Sequence, residues 1–433
     1  MRYFQFQYLL LQAGWKENCF VGINAKGKIN YLSCENPETE GHIEFVAGAT
    51  LPGFVNAHSH SFQYAMAGQA ETHEPKTDDD FWSWRDAMYS CALSMTPDKL
   101  EKVTTLLYQQ LVANGYTRVV EFHYLHHDAN GKPYHHVAEM GERVIAAAMR
   151  TGIKLTLVPI YYHTGDFGKP AFEKQRCFIS NGLDSYLKLL EASENLASQF
   201  DDRINIGYGP HSLRAVPANE IITLYEILKN KNLPFHVHLS EQIKEVENCQ
   251  AFLGQRPVEW LLENLPVDEG FNLVHCTHLT QEEIKGLAAA KANVILCPST
   301  EGNLGDGIFP LTPFYEAGGN WAIGTDSQIQ LNPMEDIRWL DYAQRLTKHR
   351  RNTFDNGAAT MVEKLFIAGN RAAGQIVSDY FAIGQCFDAV VYELSNAVLA
   401  QADLKHLLSA IVYTTDRSQI NGTIINGEWK YKK

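Results

Sequence analysis

The sequence predicts an α/β fold in which about eight strand–helix units close into a (β/α)8 barrel, with a small β domain built from the two termini. Two observations carry this prediction. Between about residues 51 and 375, short apolar runs alternate with longer amphipathic stretches, which indicates βαβ units and a parallel sheet. Before and after that region the chain shows short alternating segments broken by Gly and Asn, which are typical of strands and turns.

The predicted elements follow in that order along the chain. RYFQFQYLLL and CFVGINAKGKINYLS are the N-terminal strands. The barrel strands are LPGFVNAHSH, GYTRVVEFHYL, IKLTLVPIYY, INIGYGPHS, PFHVHLS, FNLVHCTH, NVILCPST and WAIGTDS, and helical patterns such as DKLEKVTTLLYQQLVANG, ANEIITLYEILKNKN and TQEEIKGLAAAKA separate them. In the tail, IGQCFDAVVYEL and IVYTTDRSQINGTIINGEWKYKK are predicted to form strands that pair with the N-terminal ones. The predicted domains are a β domain of residues 1–50 and 380–433 and a barrel of residues 51–379.

The composition excludes several classes of function. The chain has 433 residues, of which 45% are hydrophobic and 20% charged, as in a soluble globular protein. A formal net charge of −13 argues against nucleic acid or an anionic membrane as a partner. Eight cysteines without a C-x-x-C pair predict free thiols in a reducing compartment, and no apolar stretch approaches the ~20 residues of a membrane span. The N-terminus resembles a strand rather than a signal peptide, so a cytoplasmic location is predicted.

His58 and His60 end the first barrel strand and are the most informative residues of the chain. Side chains at i and i+2 of a strand point to the same face, so both imidazoles converge just past the strand end, as two metal ligands require. The pair alone is a weak signal, because a chain with 17 histidines contains such a spacing by chance about as often as not.

Three later strand ends supply further metal-compatible groups. These are His236, His238 and Glu241 at the fifth strand, His275 and His278 at the sixth, and Asp326 at the eighth. Each alone has an ordinary explanation: a histidine as a hydrogen-bonded structural residue, Glu241 as a solvated carboxylate, Asp326 as a helix N-cap. Because the carboxyl ends of barrel strands meet at one face, their joint placement predicts a catalytic metal site. Zn²⁺ is the expected ion, although Fe²⁺ or Mn²⁺ would accept the same ligands.

Two other segments are predicted to carry no site. A turn-rich segment holds His123, His126, His127, His135 and His136, but loop histidines rarely form a metal site without further carboxylates. The basic run at residues 348–351 is most simply a solvated helix end, and Cys276 and Cys297 are predicted to be packing residues in apolar strands.

The motifs PGFVNAHSH, HVHLSE, LVHCTH and GTDS, in this order and spacing, resemble those of the amidohydrolase superfamily across essentially the whole chain. The resemblance implies a distorted (β/α)8 barrel that carries the site, with a β-sandwich from both termini. It also implies that His58, His60, His238 and Asp326 bind the metal. Members that hold two metals bridge them with a carboxylated lysine at the fourth strand. Here the segment taken as the fourth strand, IKLTLVPIYY, has Lys154 at its start and no lysine at its end, so one metal ion is expected.

Glu241 follows the fifth-strand histidine by three residues, which resembles the deaminase branch of that superfamily. A divalent metal lowers the pKa of a bound water toward neutrality. The resemblance implies that Asp326 takes the proton of that water and that His275 holds the incoming oxygen. Glu241 would protonate the imine nitrogen and later help to protonate the leaving ammonia. The expected reaction is hydrolytic deamination of an amidine-like carbon.

Narrower motifs indicate the substrate. Residues 78–89 (DDDFWSWRDAMY), 209–216 (GPHSLRAV) and 297–307 (CPSTEGNLGDG), with HSHSFQ at 58–63, resemble the branch that converts N-formimino-L-glutamate to N-formyl-L-glutamate and ammonia in histidine breakdown. That resemblance implies that Gln63 contacts the formimino group, and that the two carboxylates are bound by Arg85, Tyr124, His211 and Arg214. Two guanidiniums suit two carboxylates, because each offers a bidentate fork. Without the resemblance, Arg85 would pair with Asp86 or Asp79, and Trp82 and Trp84 would be core residues.

Two other functions stay open at this point. Another deaminase of the same branch would act on a guanine- or adenosine-like ring, for which aromatic stacking and neutral hydrogen bonds are expected rather than two arginines. A catalytically inactive relative would serve as a scaffold, but such proteins lose ligands, and this chain retains all four together with Glu241 and His275. The resemblance further implies a homodimer, with a small-molecule dicarboxylate as the substrate.

Overall fold

A computed structural model describes residues 1–39, 41–71, 80–354 and 357–433 of the chain. Asp78 and Asp79, which begin one of the substrate motifs, lie outside the described residues. The strands are β1 (Arg2–Leu11), β2 (Gly14–Ile23), β3 (Ile29–Ser33), β4 (Ile43–Pro52), β5 (Phe54–Ser59), β6 (Tyr116–His123), β7 (Lys154–Tyr161), β8 (Ile204–Ile206), β9 (Gly209–Pro210), β10 (Phe235–Leu239), β11 (Phe271–His275), β12 (Asn293–Leu296), β13 (Asn320–Ile323), β14 (Ala389–Tyr392), β15 (Ile420–Ile425) and β16 (Glu428–Lys432).

The helices lie mostly between the barrel strands. They are α1 (Phe81–Leu93), α2 (Pro97–Ala113), α3 (Glu139–Thr151), α4 (Leu183–Ala197), α5 (Ala218–Leu228), α6 (Ile243–Leu253), α7 (Pro257–Asn264), α8 (Gln281–Ala290), α9 (Pro298–Leu304), α10 (Leu311–Glu316), α11 (Pro333–Lys348), α12 (Ala358–Glu363), α13 (Gly369–Ala372), α14 (Ala397–Gln401) and α15 (Leu404–Thr414). A π-helical turn, Lys364–Ala368, joins α12 to α13. The basic run at 348–351 is exposed at the end of α11, as predicted.

Helix α2 illustrates how the local sequence specifies these elements. The Thr96 side chain accepts a hydrogen bond from the backbone N–H of Lys99, and Pro97 occupies the first helical position, where its missing N–H costs nothing. Leu100, Leu107 and Leu111 recur at helical spacing and are buried on one face.

Two groups of four parallel strands meet at two seams and form a closed barrel, which confirms the predicted (β/α)8 fold. Strands β5 to β8 lie side by side in parallel, and so do β10 to β13. Parallel bridges join the two groups, one between Tyr208 and Phe235 and the other between Ser59 and Asp326. Glycines permit the close approach at these seams, because a Cβ at Gly209 would collide with the carbonyl oxygen of His236, and one at Gly324 with His58.

The structure corrects the numbering of the predicted strands. IKLTLVPIYY contains β7, which is the third barrel strand because β5 and β6 precede it. The fourth position is formed by β8 and β9, and their segment INIGYGPHS contains no lysine. Lys154 begins β7, at the end of the strand away from the predicted site, where its Nζ pairs with Asp388 Oδ2 at 2.5 Å. The actual fourth strand therefore also lacks a lysine that could bridge two metal ions, and one metal ion is still expected.

The two termini form one seven-stranded sheet, as the pairing of the tail with residues 1–50 predicted. Its order is β16-β15-β14-β4-β1-β2-β3, with β14 antiparallel to β4. Strand β4 continues to Pro52, so the predicted domain boundary at residue 50 falls inside this sheet. The division of the chain into these two domains stays a prediction.

One predicted strand segment of the tail is helical. The run IVYT ends α15 instead of forming a strand, because Leu407, Leu408, Ile411 and Val412 are buried at a spacing of four residues, which is a helical period. This helix packs against α11 and α12. The strand prediction for IVYT was wrong, because Ile and Val favour strands locally whereas here they pack on the buried face of a helix.

Residues 364–373 close the barrel interior at the amino-terminal ends of the strands. Ring nitrogen Nε2 of His236 lies 3.0 Å from the carbonyl oxygen of Ala372. The amides of Asn205 and Asn293 donate to the carbonyls of Ala373 and Ala368 at 2.7 and 3.2 Å. The carboxyl-terminal ends of the strands are left for the site. No helix among the described residues is long and apolar enough to cross a membrane.

Candidate metal and active site

Four predicted ligands converge at the carboxyl ends of the barrel strands. His58 and His60 lie at the end of β5, His238 near the end of β10, and Asp326 just after β13. One ligand atom from each lies within 4.8 Å of the others, and all four residues are buried. The backbone at Asp326 is left-handed, with a φ of 48°. A non-glycine residue in that region stores strain, which is typical of functional sites.

The imidazole nitrogens of this cluster face one another. His58 Nε2 lies 3.1 Å from His60 Nε2 and 3.1 Å from His238 Nε2, and His60 Nε2 lies 3.2 Å from Asp326 Oδ1. The opposite nitrogens of two rings lie beside backbone acceptors, since His60 Nδ1 is 2.9 Å from the Phe122 carbonyl and His238 Nδ1 is 3.2 Å from the His211 carbonyl. A carbonyl can only accept, so those Nδ1 atoms carry the hydrogens and both Nε2 atoms present lone pairs. Converging lone pairs beside a carboxylate fit a divalent cation.

The electrostatics favour the ligand forms of these groups. Burial, reinforced by His60, lowers the pKa of His58 to about 3. Burial, with His211 and His58, holds the pKa of His238 well below its usual range. Burial would raise the pKa of Asp326, but the adjacent His58 and His60 outweigh it and hold that pKa well below its ordinary value. Neutral imidazoles and an ionised carboxylate are the states in which these side chains bind a metal.

His275 and Glu241 stand beside the ligand cluster. His275 Nε2 lies 3.7 Å from Asp326 Oδ2 and 3.7 Å from Glu241 Oε1. Burial alone would lower the pKa of His275, but Glu241, Glu301 and Asp326 outweigh it and raise that pKa to about 10. Burial raises the pKa of Glu241 although His275 and Arg214 oppose it. A carboxyl group with a raised pKa, next to the ligands, is suited to hold and release a proton.

Two carboxyl groups missed by sequence reasoning complete this region. Glu301 Oε1 lies 3.3 Å from His275 Nδ1, so it fixes the orientation of that ring. Asp306 lies within 4.8 Å of Glu241 and His275, and burial, with Glu241, raises its pKa to about 10. Both residues belong to the motif at 297–307, so the signal was present, but no spacing rule connects that loop to the sixth strand.

A cleft that is open to solvent extends from the ligand cluster. Its lining includes every residue predicted to contact the substrate, namely Gln63, Arg85, Tyr124, His211 and Arg214. Gln63 Nε2 donates to Tyr124 Oη at 2.8 Å, and Gln63 Oε1 is buried without a partner in the described part of the chain. The carbonyl of His211 accepts a hydrogen bond from the backbone N–H of His238 at 3.0 Å, which connects this wall of the cleft to one of the four candidate ligands.

The positively charged side chains of Arg85 and Arg214 line this cleft. Arg214 is buried and Arg85 half-buried, and neither forms an ion pair with any described residue. Arg214 Nε and Nη1 and Arg85 Nε are buried and have no hydrogen-bond partner among the residues that the structure describes. The alternative pairing of Arg85 with Asp86 does not occur, since Asp86 pairs with Lys174 at 3.0 Å. Asp79, the other alternative, lies outside the described residues.

Aromatic rings support both guanidiniums. The Arg85 guanidinium lies 4.3 Å from the Trp82 ring centroid, and that of Arg214 lies 5.8 Å from the same ring. Trp84 also lines the cleft, so these tryptophans are not simply core residues. Stacking leaves the guanidinium edges free to bind planar anions.

Several other candidate histidines lie elsewhere. His236, two residues before His238, contacts the closing segment below the site. His278 is half-buried and belongs to none of the described metal-compatible groups. The Nε2 atoms of His126 and His127 lie 3.0 and 2.9 Å from the carbonyls of Ile160 and Ile179. His136 lies with Glu139 and Glu142 in a partly exposed group of metal-compatible side chains. That this histidine segment carries no metal site stays a prediction.

We expect purified protein to hold about one divalent metal ion per chain, because a single four-ligand cluster faces the cleft. His238→Asn should remove most of that metal, measured by elemental analysis. The matched control is His236→Gln on the same strand, whose amide can still donate to the Ala372 carbonyl and which should keep normal metal content. A tightly held second equivalent in the parent protein would contradict the single-metal expectation.

Comparisons with known proteins agree with this geometry. The model of the amidohydrolase family matches residues 49–430. A formimidoylglutamate deiminase from Pseudomonas aeruginosa is 39% identical over 426 residues, covering 97% of this chain and 92% of the relative. A crystal structure of an amidohydrolase from Brucella melitensis superimposes with a TM-score of 0.92 at 37% identity, covering 100% of this chain and 95% of that one. An adenosine deaminase from Xanthomonas campestris with bound zinc superimposes with a TM-score of 0.80 at 22% identity, covering 99% and 92%.

Proposed function

Because this chain belongs to the amidohydrolase family, we propose that it hydrolyses N-formimino-L-glutamate to N-formyl-L-glutamate and ammonia, a step of histidine degradation. The relative from Pseudomonas aeruginosa that covers almost the whole chain carries the name of that activity. The alternative of an inactive scaffold is disfavoured, because the complete ligand set lies together with Glu241 and His275.

The observation that carries the substrate assignment is the pair of guanidiniums in the cleft that form no ion pair with any described residue. Arg85 and Arg214 place two guanidinium groups in the cleft. The same cleft is lined by His60, His238 and Asp326 of the ligand cluster. A buried cation without a partner is costly, and a ligand carboxylate offsets that cost. A substrate with two carboxylates supplies one for each arginine. A guanine- or adenosine-like ring has no group that would do so.

The residues can perform the hydrolysis as follows. A bound divalent ion supplies Lewis-acid activation of water at neutral pH. Asp326 accepts a proton from the attacking water, and a C–O bond forms at the formimino carbon while its C=N bond becomes single. Glu241 donates a proton to that nitrogen. The ionised Glu241 then takes the proton of the new hydroxyl, and the proton held by Asp326 passes to the amine nitrogen. The C–N bond to that nitrogen breaks, ammonia leaves, the carbon becomes the carbonyl of the formyl group, and both carboxyl groups return to their starting states.

His275 and Gln63 would position the reacting group. His275, oriented by Glu301, holds the incoming oxygen next to Asp326 and Glu241. Gln63 keeps a free amide oxygen, which can accept a hydrogen from the formimino nitrogen. The ligand set of three imidazoles and one carboxylate suits Zn²⁺, and Fe²⁺ or Mn²⁺ would fit the same donors. A homodimer in the cytoplasm stays a prediction.

We expect ammonia release from N-formimino-L-glutamate and none from guanine or S-adenosylhomocysteine in a coupled ammonia assay. N-formimino-L-aspartate, shorter by one methylene, should react more slowly, because its second carboxylate reaches less far from the formimino carbon. Activity with either ring compound and not with N-formimino-L-glutamate would overturn the proposal in favour of a ring deaminase.

A further inference from the structure

Two tyrosines and a glutamine form a buried polar group on the wall of the cleft. Tyr89 and Tyr162 line the cleft itself, and Gln175 lies behind them with no exposed surface. Gln175 Nε2 lies 3.0 Å from Tyr89 Oη and 3.0 Å from Tyr162 Oη. None of these residues is required by the mechanism above.

The direction of these hydrogen bonds is fixed by the backbone. Gln175 Oε1 accepts the backbone N–H of Phe172 at 2.8 Å, and an N–H group can only donate. The other end of the amide is therefore the nitrogen, whose two hydrogens face both phenol oxygens and, at the longer distance of 3.4 Å, the carbonyl of Gly165. An amide nitrogen cannot accept, so neither phenol donates to it. Tyr89 and Tyr162 accept from Gln175, so their own hydroxyl hydrogens are left to donate. Even if one phenol donates to the other, one O–H hydrogen remains for a ligand.

The phenols face the cationic end of the cleft. The positive charges of Arg85 and Arg214 act on Tyr162, and that of Arg85 is close to Tyr89, whose ring centroid is 5.6 Å away. Cations and oriented O–H donors on one wall attract an acceptor-only anion. A neutral amide would gain less, because hydrogen bonds to charged groups are stronger.

The distance between the four-ligand cluster and the two phenols indicates which carboxylate of the substrate the phenols would bind. The rings of His238 and His211 have centroids 4.7 Å apart, and those of His211 and Tyr162 are again 4.7 Å apart. Tyr162 is thus two ring contacts beyond the ligand cluster. In N-formimino-L-glutamate the α-carboxylate lies close to the formimino nitrogen, whereas the side-chain carboxylate lies about 6 Å from the formimino carbon in the extended form.

We propose that Tyr89 and Tyr162 bind the distal carboxylate of the substrate together with the neighbouring Arg85, and that Gln175 is a positioning residue that keeps both phenols as donors. This inference rests on the proposed function, since it specifies how the same cleft selects an acidic substrate. These three residues would thereby favour a substrate with a distal carboxylate over the corresponding compound with a distal carboxamide.

The test uses Tyr89→Phe and Tyr162→Phe in the metal-loaded enzyme. Each removes one hydroxyl and keeps the ring. We expect KM for N-formimino-L-glutamate, and Ki for the product N-formyl-L-glutamate, to rise about 10- to 100-fold, with kcat little changed. Ki for N-formyl-L-glutamine should change far less. The matched control is Tyr186→Phe, a buried tyrosine outside the cleft whose hydroxyl donates to the Pro159 carbonyl, which should leave all these constants unchanged.

Gln175 is tested through its dependence on the phenols. Gln175→Met should raise KM in the parent enzyme but add nothing in the Tyr89→Phe/Tyr162→Phe background, because its effect passes through those hydroxyls. If Gln175 acted only through packing, Gln175→Met would raise KM both in the parent enzyme and in the Tyr89→Phe/Tyr162→Phe variant. Unchanged constants in both Phe variants, or equal losses for the acid and the amide, would overturn the inference. Failure of the parent enzyme to release ammonia from N-formimino-L-glutamate would instead overturn the proposed function.

Discussion

Glu241→Gln is expected to lower kcat on N-formimino-L-glutamate by about 10²- to 10⁴-fold while metal content stays normal. The change keeps the size and hydrogen-bonding shape of the side chain but removes the group that carries the proton. Glu241 is buried 3.7 Å from His275 and is not one of the four clustered ligands, so the metal cluster should persist. The measurements are steady-state ammonia release and elemental analysis of the same preparations.

The matched control is Glu247→Gln, the same chemical change on the exposed face of α6. It should leave kcat, KM and metal content as in the parent enzyme. If Glu241→Gln retained the parent kcat, Glu241 would not be the proton carrier, and the neighbouring carboxyl of Asp306 would be the next group to test.

Arg85→Met and Arg214→Met are each expected to reduce kcat/KM for N-formimino-L-glutamate by roughly 30- to several thousand-fold. Removing one partner of a desolvated charge pair costs about 2–5 kcal/mol, since the substrate carboxylate is left without its cation. Both arginines lie in the cleft but outside the metal cluster, so fold and bound metal should be preserved. Most of the loss should appear in KM if the arginines bind ground state and transition state alike.

The control for the arginine variants is Arg150→Met, an exposed residue that pairs with Glu101 away from the cleft. Its kcat/KM should match that of the parent enzyme. A ring deaminase would tolerate the loss of Arg85 and Arg214, because a neutral substrate has no carboxylate to bind. Near-normal kcat/KM in both variants would therefore refute the dicarboxylate assignment, even with the deaminase chemistry intact.

The barrel and the metal cluster could be predicted from the sequence, because both follow from local rules. Alternation of apolar runs and amphipathic stretches specifies βαβ units, and side chains at i and i+2 of a strand share a face. Parallel barrel strands end at one face, so His58, His60, His238 and Asp326 could be expected to meet. Two sequence predictions were wrong. The segment that contains β7 is the third barrel strand and not the fourth, and the β-branched run at the end of α15 is helical.

Only the tertiary structure decided how the substrate side of the cleft is built. Arg85 forms no ion pair with a described residue because the adjacent Asp86 pairs with Lys174, which comes from a segment far along the chain. That Tyr89 and Tyr162 act as donors depends on Gln175, which a backbone contact at Phe172 orients. Hydrogen-bond direction and unpaired charge are set by neighbours distant in sequence, and no periodicity of a single segment encodes them. The sequence by itself determined the barrel and the four metal-compatible side chains that meet at the carboxyl-terminal ends of its strands.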